Sequence, residues 1–143
     1  MKTTFFILFL TLVVTSATAQ KDTIMQQAEI LHIQYADKNN NRYILTPDKI
    51  KYRPIQPHES SSGTYSGGEP KTMEWAIEEW EACKEIVNQI IQEERLHLKQ
   101  RRMLTSVLLI SFAEDVDKMR LILGKSELHN LLINQLRESL ALD

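Results

Sequence analysis

All four prolines of this 143-residue chain, and three of its four glycines, fall between Pro47 and Pro70. Proline fixes φ and lacks a backbone donor, and glycine suits turns, so regular structure is pushed to either side of this stretch. Its centre, PIQPHESSSGTYSGGEP from Pro54 to Pro70, is a Pro-flanked Ser/Gly loop between a strand-like N-terminal half and a long helical segment.

Residues 1–19 obey different rules. Met1-Lys2 gives a positive start, Phe5 to Val14 is apolar except for Thr11, and Ala17-Thr18-Ala19 has the small residues of a cleavage site. A membrane span needs about 17 to 25 apolar residues, more than this run supplies. The segment is therefore expected to be a secretory signal peptide, cleaved after Ala19, with residues 20–143 forming one small exported domain, periplasmic or extracellular. Without Lys2 the remainder carries 16 Lys+Arg against 19 Asp+Glu, a formal net charge of −3 that offers no electrostatic footprint for nucleic acid. Cys83 is the only cysteine, which excludes an internal disulfide and a zinc-finger site. It falls on a helical apolar stripe, where a buried and inert thiol is expected.

From Ala28 to Tyr35, Leu31, Ile33 and Tyr35 on a fully apolar face alternate with Ile30, His32 and Gln34 on a mostly polar one, the period of a half-buried strand. Asp37 to Asn41 is a turn by composition, because Asn and Asp tolerate positive φ and bond their own backbone. Arg42 to Thr46 and Ile50 to Arg53 supply two further strands, separated by the turn at Thr46-Pro47-Asp48-Lys49. Beyond the loop, Thr72 is expected to cap a helix with the stripe Met73, Ala76, Ile77, Trp80, Cys83, Val87, Ile90 and Ile91, ending in the cations Arg95, Lys99, Arg101 and Arg102. Trp80 belongs to the core, and Trp75 closes the end of the loop. Met103 to Phe112 fits either a buried strand or a continuation of that helix. Continuation would exceed the usual 8 to 20 residues, which favours a strand. Asp115 to Lys118 turns the chain into a last strand at Met119 to Leu123. Ser126 caps a final helix bearing Leu128, Leu131, Leu132, Leu136 and Leu140. The fold class expected is α+β: an antiparallel sheet, made of a three-strand N-terminal meander and a C-terminal hairpin, packed by one long helix and a C-terminal helix.

Several motifs approach known chemistry and stop short. Gly63 to Gly68 before a helix resembles a phosphate cradle, but Glu69 and Pro70 stand where lysine and a hydroxyl are needed. His58, Glu59 and Ser60 to Ser62 cluster a base, an acid and hydroxyls, without the fixed geometry nucleophilic catalysis requires. Glu94-x-x-His97 has di-iron spacing but occurs once, where such sites need two copies. His32 and His129 look isolated, and Glu74, Glu78, Glu81 and Glu85 read as a solvated helix face. No catalytic set, metal or cofactor is assigned. The sequence points to a non-catalytic binding module that contacts a protein or surface glycan through loop 58–69, with His58, Tyr65, Ser66 and Glu69 as candidate contacts, since Tyr amid Ser and Gly suits adaptable binding loops. Two alternatives stay open: an exported hydrolase-type enzyme assembled from distant residues such as His58, His97 and Asp115, and a structural envelope component.

Overall fold

The computed structural model describes residues 28–113 and 118–142. The expected signal segment, its cleavage point at Ala19, and Asp115 with the turn around it lie outside these residues. Among them the chain forms strands β1 (Ile30–Ala36), β2 (Arg42–Thr46), β3 (Lys49–Arg53) and β4 (Lys71–Glu74), helix α1 (Ile77–Gln92), strands β5 (Ser106–Phe112) and β6 (Met119–Leu123), and helix α2 (Glu127–Ser139). Short 3-10 turns span Pro57–Glu59 and Glu94–Leu96. All strands join one antiparallel sheet in the order β4-β3-β2-β1-β5-β6. The α+β architecture expected from the sequence is therefore the one formed, with a fourth strand added to the meander.

Register sorts the side chains onto two faces, because neighbouring residues of a strand point opposite ways. One face carries the row Tyr52, Tyr43, Tyr35, Leu108 and beside it the row Ile50, Leu45, Ile33, Ile110. These residues are buried, and they form one cluster with Trp80, Cys83, Val87 and Ile90 of α1 and Leu132, Leu136 and Leu140 from α2 and its C-terminal end. Both helices thus cover the same face. Each fully buried aliphatic side chain contributes about 1.5–3 kcal/mol, so this single layer supplies most of the driving force. Cys83 is fully buried, as expected, and burial pushes its thiol up to about 12.

Four expectations need correction. Residues 71–74 are not the first turn of a helix capped by Thr72. They are an edge strand paired with β3, with Lys49 opposite Glu74 and Lys51 opposite Thr72. Helix α1 starts at Ile77, where the Glu79 carboxylate accepts the Ala76 amide at 3.0 Å, and Met73 is a half-exposed strand residue. The helix also ends sooner, at Gln92, so Arg95, Lys99, Arg101 and Arg102 lie beyond it. At the end of the helix His97 Nε2 instead lies 2.7 Å from the Ile90 carbonyl of the last turn. In β1 a register shift between Ile30 and His32 brings Ile30 into the core and leaves Leu31 45% exposed, because a bulge reverses the facing of residues before it. On α2, Ser126 caps as expected, accepting the His129 amide at 3.1 Å, but Leu131 faces solvent.

Candidate functional site

The Pro54–Pro70 loop begins where β3 ends and is held to the scaffold chiefly through Asn41. Asn41, nearly fully buried at the start of β2, accepts the Ile55 amide through Oδ1 at 3.0 Å. Its Nδ2 donates to Asp37 Oδ2 at 2.9 Å and to the Tyr65 hydroxyl at 3.0 Å. Asp37 fixes the β1–β2 turn in return, accepting the Asn39 and Asn41 amides, while Asn40 takes a left-handed φ of 69°. Asn39 Nδ2 is a second donor to Tyr65. Further on, the Tyr52 hydroxyl donates to the Gly67 carbonyl at 2.7 Å and the Gly67 amide donates to the Ile55 carbonyl at 3.1 Å. A Cβ at Gly67 would overlap Asn41 Oδ1 and come within 2.8 Å of Pro54 Cβ, so only glycine allows this approach.

The four candidate contacts fall on different parts of this loop. His58 sits exposed in the 3-10 turn, Tyr65 lies flat enough to be only 36% exposed, and Glu69 is exposed before β4. Ser66 is exposed too, with Oγ accepting the Gly68 amide at 3.2 Å. No hydrogen bond joins any two of the four among the described residues. Tyr65 therefore anchors the loop through its hydroxyl and remains partly exposed, while His58 and Glu69 are exposed.

Of the residues considered for a dispersed catalytic site, His58 and His97 share no hydrogen bond among the described residues. His97 is engaged at the end of α1, His58 sits exposed in the 3-10 turn Pro57–Glu59, and Asp115 lies outside the described residues. A closer approach to catalytic geometry occurs where the sequence suggested nothing. Tyr35 Oη lies 3.0 Å from Ser106 Oγ and 2.8 Å from His129 Nε2, and His129 Nδ1 lies 2.9 Å from the Gly124 carbonyl. The carbonyl can only accept, so Nδ1 carries the proton and Nε2 accepts from Tyr35. Burial lowers the His129 pKa, partly offset by the Gly124 carbonyl, and raises that of Tyr35. All three side chains are under 8% exposed, the histidine does not reach the serine directly, and no substrate could approach. The chain is a satisfied core network tying α2 to β1 and β5. Its sequence signal was a tyrosine on an apolar strand face, which when buried needs a partner for its hydroxyl.

The other face of the sheet bears neither helix. Register lines up Arg53, Arg42, Ala36 and Val107 in one row, and Lys51, Ile44, Gln34, Leu109 and Arg120 in the next. The aliphatic members are half-buried and the cations exposed. Sequence reasoning passed over Arg42 and Arg53, although pairing outward from the two-residue turn Pro47-Asp48 sets them opposite each other.

Among the described residues no group of three or more His, Cys, Asp or Glu side chains is placed to hold a metal ion, and no helix is long and apolar enough to cross a membrane. No protein-family model matches the chain, and neither a curated protein nor a solved structure does.

Proposed function

We propose that this chain is an exported, non-catalytic binding module that contacts a protein partner through loop 58–69. The observation that carries the proposal is the bracing of the loop. With Cys83 the only cysteine, no disulfide holds the segment, and an unbraced loop would lose ordering entropy on binding. Asn41 and Asp37 provide that bracing by hydrogen bonds instead, joining the loop to a turn of the sheet through Tyr65 and Ile55. A loop so held keeps its outward side chains positioned before a partner arrives. A protein partner is favoured over a glycan because the tyrosines of the sheet all face the core, leaving Tyr65 as the loop's single aromatic surface.

The test is crosslinking capture from envelope and culture fluid with the native protein and a His58→Ala/Glu69→Ala variant. Both side chains are exposed, so the variant should keep its stability to within about 0.5 kcal/mol. Loss of the captured partner at unchanged stability is expected. Equal capture by both proteins would overturn the assignment of the loop as the contact segment.

A further inference from the structure

We propose that the Arg42–Arg53 pair on the open sheet face binds a carboxylate of an acidic, partly aliphatic segment of the partner protein. The proposal rests on the binding-module function and identifies the chemistry of what is bound. Arg42 and Arg53 are direct cross-strand partners, which places their Cβ atoms about 4.5–5.5 Å apart. Like charges so placed destabilise a sheet unless an anion lies between them. With Asn40, Pro54, Ile55 and Glu59 the two arginines line a cleft of about 30 Å³, room enough for a carboxylate head. A third guanidinium, that of Arg101, reaches the same rim, 3.4 Å from Asn40 Oδ1.

The resident acid neutralises little of this charge. Glu59 Oε2 accepts the Gln56 amide at 2.9 Å, while Oε1 stays 3.7 Å from Arg53. Exposed pairs of that length are worth little and exchange readily for a better-placed carboxylate. A guanidinium fork grips a carboxylate through two parallel bonds, so an incoming acid gains more than Glu59 gives up.

The surroundings supply the apolar part. Next to Arg101, Met103 and Leu104 are 93% and 73% exposed, and Leu104 holds a left-handed φ of 66° that disfavours leucine. The loop is clamped in that shape, since the Thr105 hydroxyl donates to the Arg102 carbonyl at 2.7 Å and accepts the Arg102 amide at 3.2 Å. Strain held in place by side-chain bonds accompanies contact sites. The cations alternate with aliphatic side chains across a sheet face, and a sheet's twist lets a polypeptide follow that face more closely than a planar bilayer does.

Fluorescence anisotropy with a labelled peptide of alternating Glu and Leu, at low salt, tests the proposal on the purified protein. Arg42→Gln and Arg53→Gln should each weaken binding roughly tenfold, the loss of a charge-assisted pair. Glu59→Gln removes the competing carboxylate and should tighten binding about two- to fivefold. A Gln/Leu peptide and phosphatidylserine vesicles should bind far more weakly. Unchanged affinity in the arginine variants, weaker binding by Glu59→Gln, or preference for the vesicles would each overturn it. The two proposals fail separately. If the arginine variants capture the natural partner normally while the His58/Glu69 variant does not, the cleft assignment falls and the module stands.

Discussion

His129 shows how one side chain's protonation is tied to the fold. Its neutral form keeps Nε2 an acceptor 2.8 Å from the Tyr35 hydroxyl, which also lies within donating reach of Ser106 Oγ at 3.0 Å, while Nδ1–H donates to the Gly124 carbonyl. Protonating Nε2 replaces that acceptor with a second ring donor and places a charge in the buried core. The folded pKa accordingly lies below the ordinary value, with burial the dominant cause. The sign follows from proton counting: below about pH 6.5 the unfolded chain binds more protons at this site than the folded one, so stability falls with acid. His32, lowered by burial and then by Lys118, acts in the same direction. Above pH 7.5 neither contributes a slope. Urea denaturation between pH 7.5 and 5.5 should show stability declining in the native protein and declining less in His129→Gln. Parallel declines would mean that another group titrates. Carboxylates held low, such as Asp48, act only at more acidic pH.

At the scale of elements, the sequence was most readable where pattern and partner agree. The meander follows from alternation around Pro47-Asp48, the strand at Ser106–Phe112 from the limit on helix length, and α2 from its Ser126 cap. It misled at residues 71–76, where Met73, Ala76, Ile77 and Trp80 fall at helical spacing although a strand forms. Pairing with β3 and the Trp75 indole, which donates to the Thr46 carbonyl at 2.9 Å, outweigh that local pattern. Such partners lie 25 or so residues away in the chain, beyond any window used to judge periodicity. The candidate site was half legible for the same reason. The loop stood out by composition, while Asn41, which holds it, looked like one of three turn asparagines. The β4 assignment has an energetic signature. Trp75→Phe keeps the ring but strands the Thr46 carbonyl, and should cost about 1 kcal/mol in urea denaturation. Met73→Ala, at a half-exposed strand position, should cost less than about 0.5 kcal/mol. A larger loss at Met73 than at Trp75 would favour the helical stripe over the strand.

For the molecule as a whole, a single covered face means a single core. Acids Glu78, Glu81 and Glu85 ride the outer side of α1 while Arg42, Lys51 and Arg53 occupy the bare sheet face, so a small net charge conceals two oppositely charged sides. The faces are joined only through the sheet, and both helices and every described strand except β4 place residues in one buried cluster. Cys83 sits inside that cluster on α1, fully buried, with its thiol pushed up to about 12. The thiolate is the reactive form, so at neutral pH the folded protein presents neither access nor nucleophile. No smaller unit can open to expose Cys83 without separating α1 from the sheet, which removes the core itself. Labelling by Ellman's reagent should therefore require global unfolding and run at least about a thousandfold slower than in the unfolded chain, given ordinary domain stability. As the only cysteine, Cys83 makes the signal unambiguous. Its labelling rate should rise with urea along the same slope as the equilibrium transition. Fast labelling insensitive to urea would show that α1 detaches locally, and that the core divides into more than one cooperative unit.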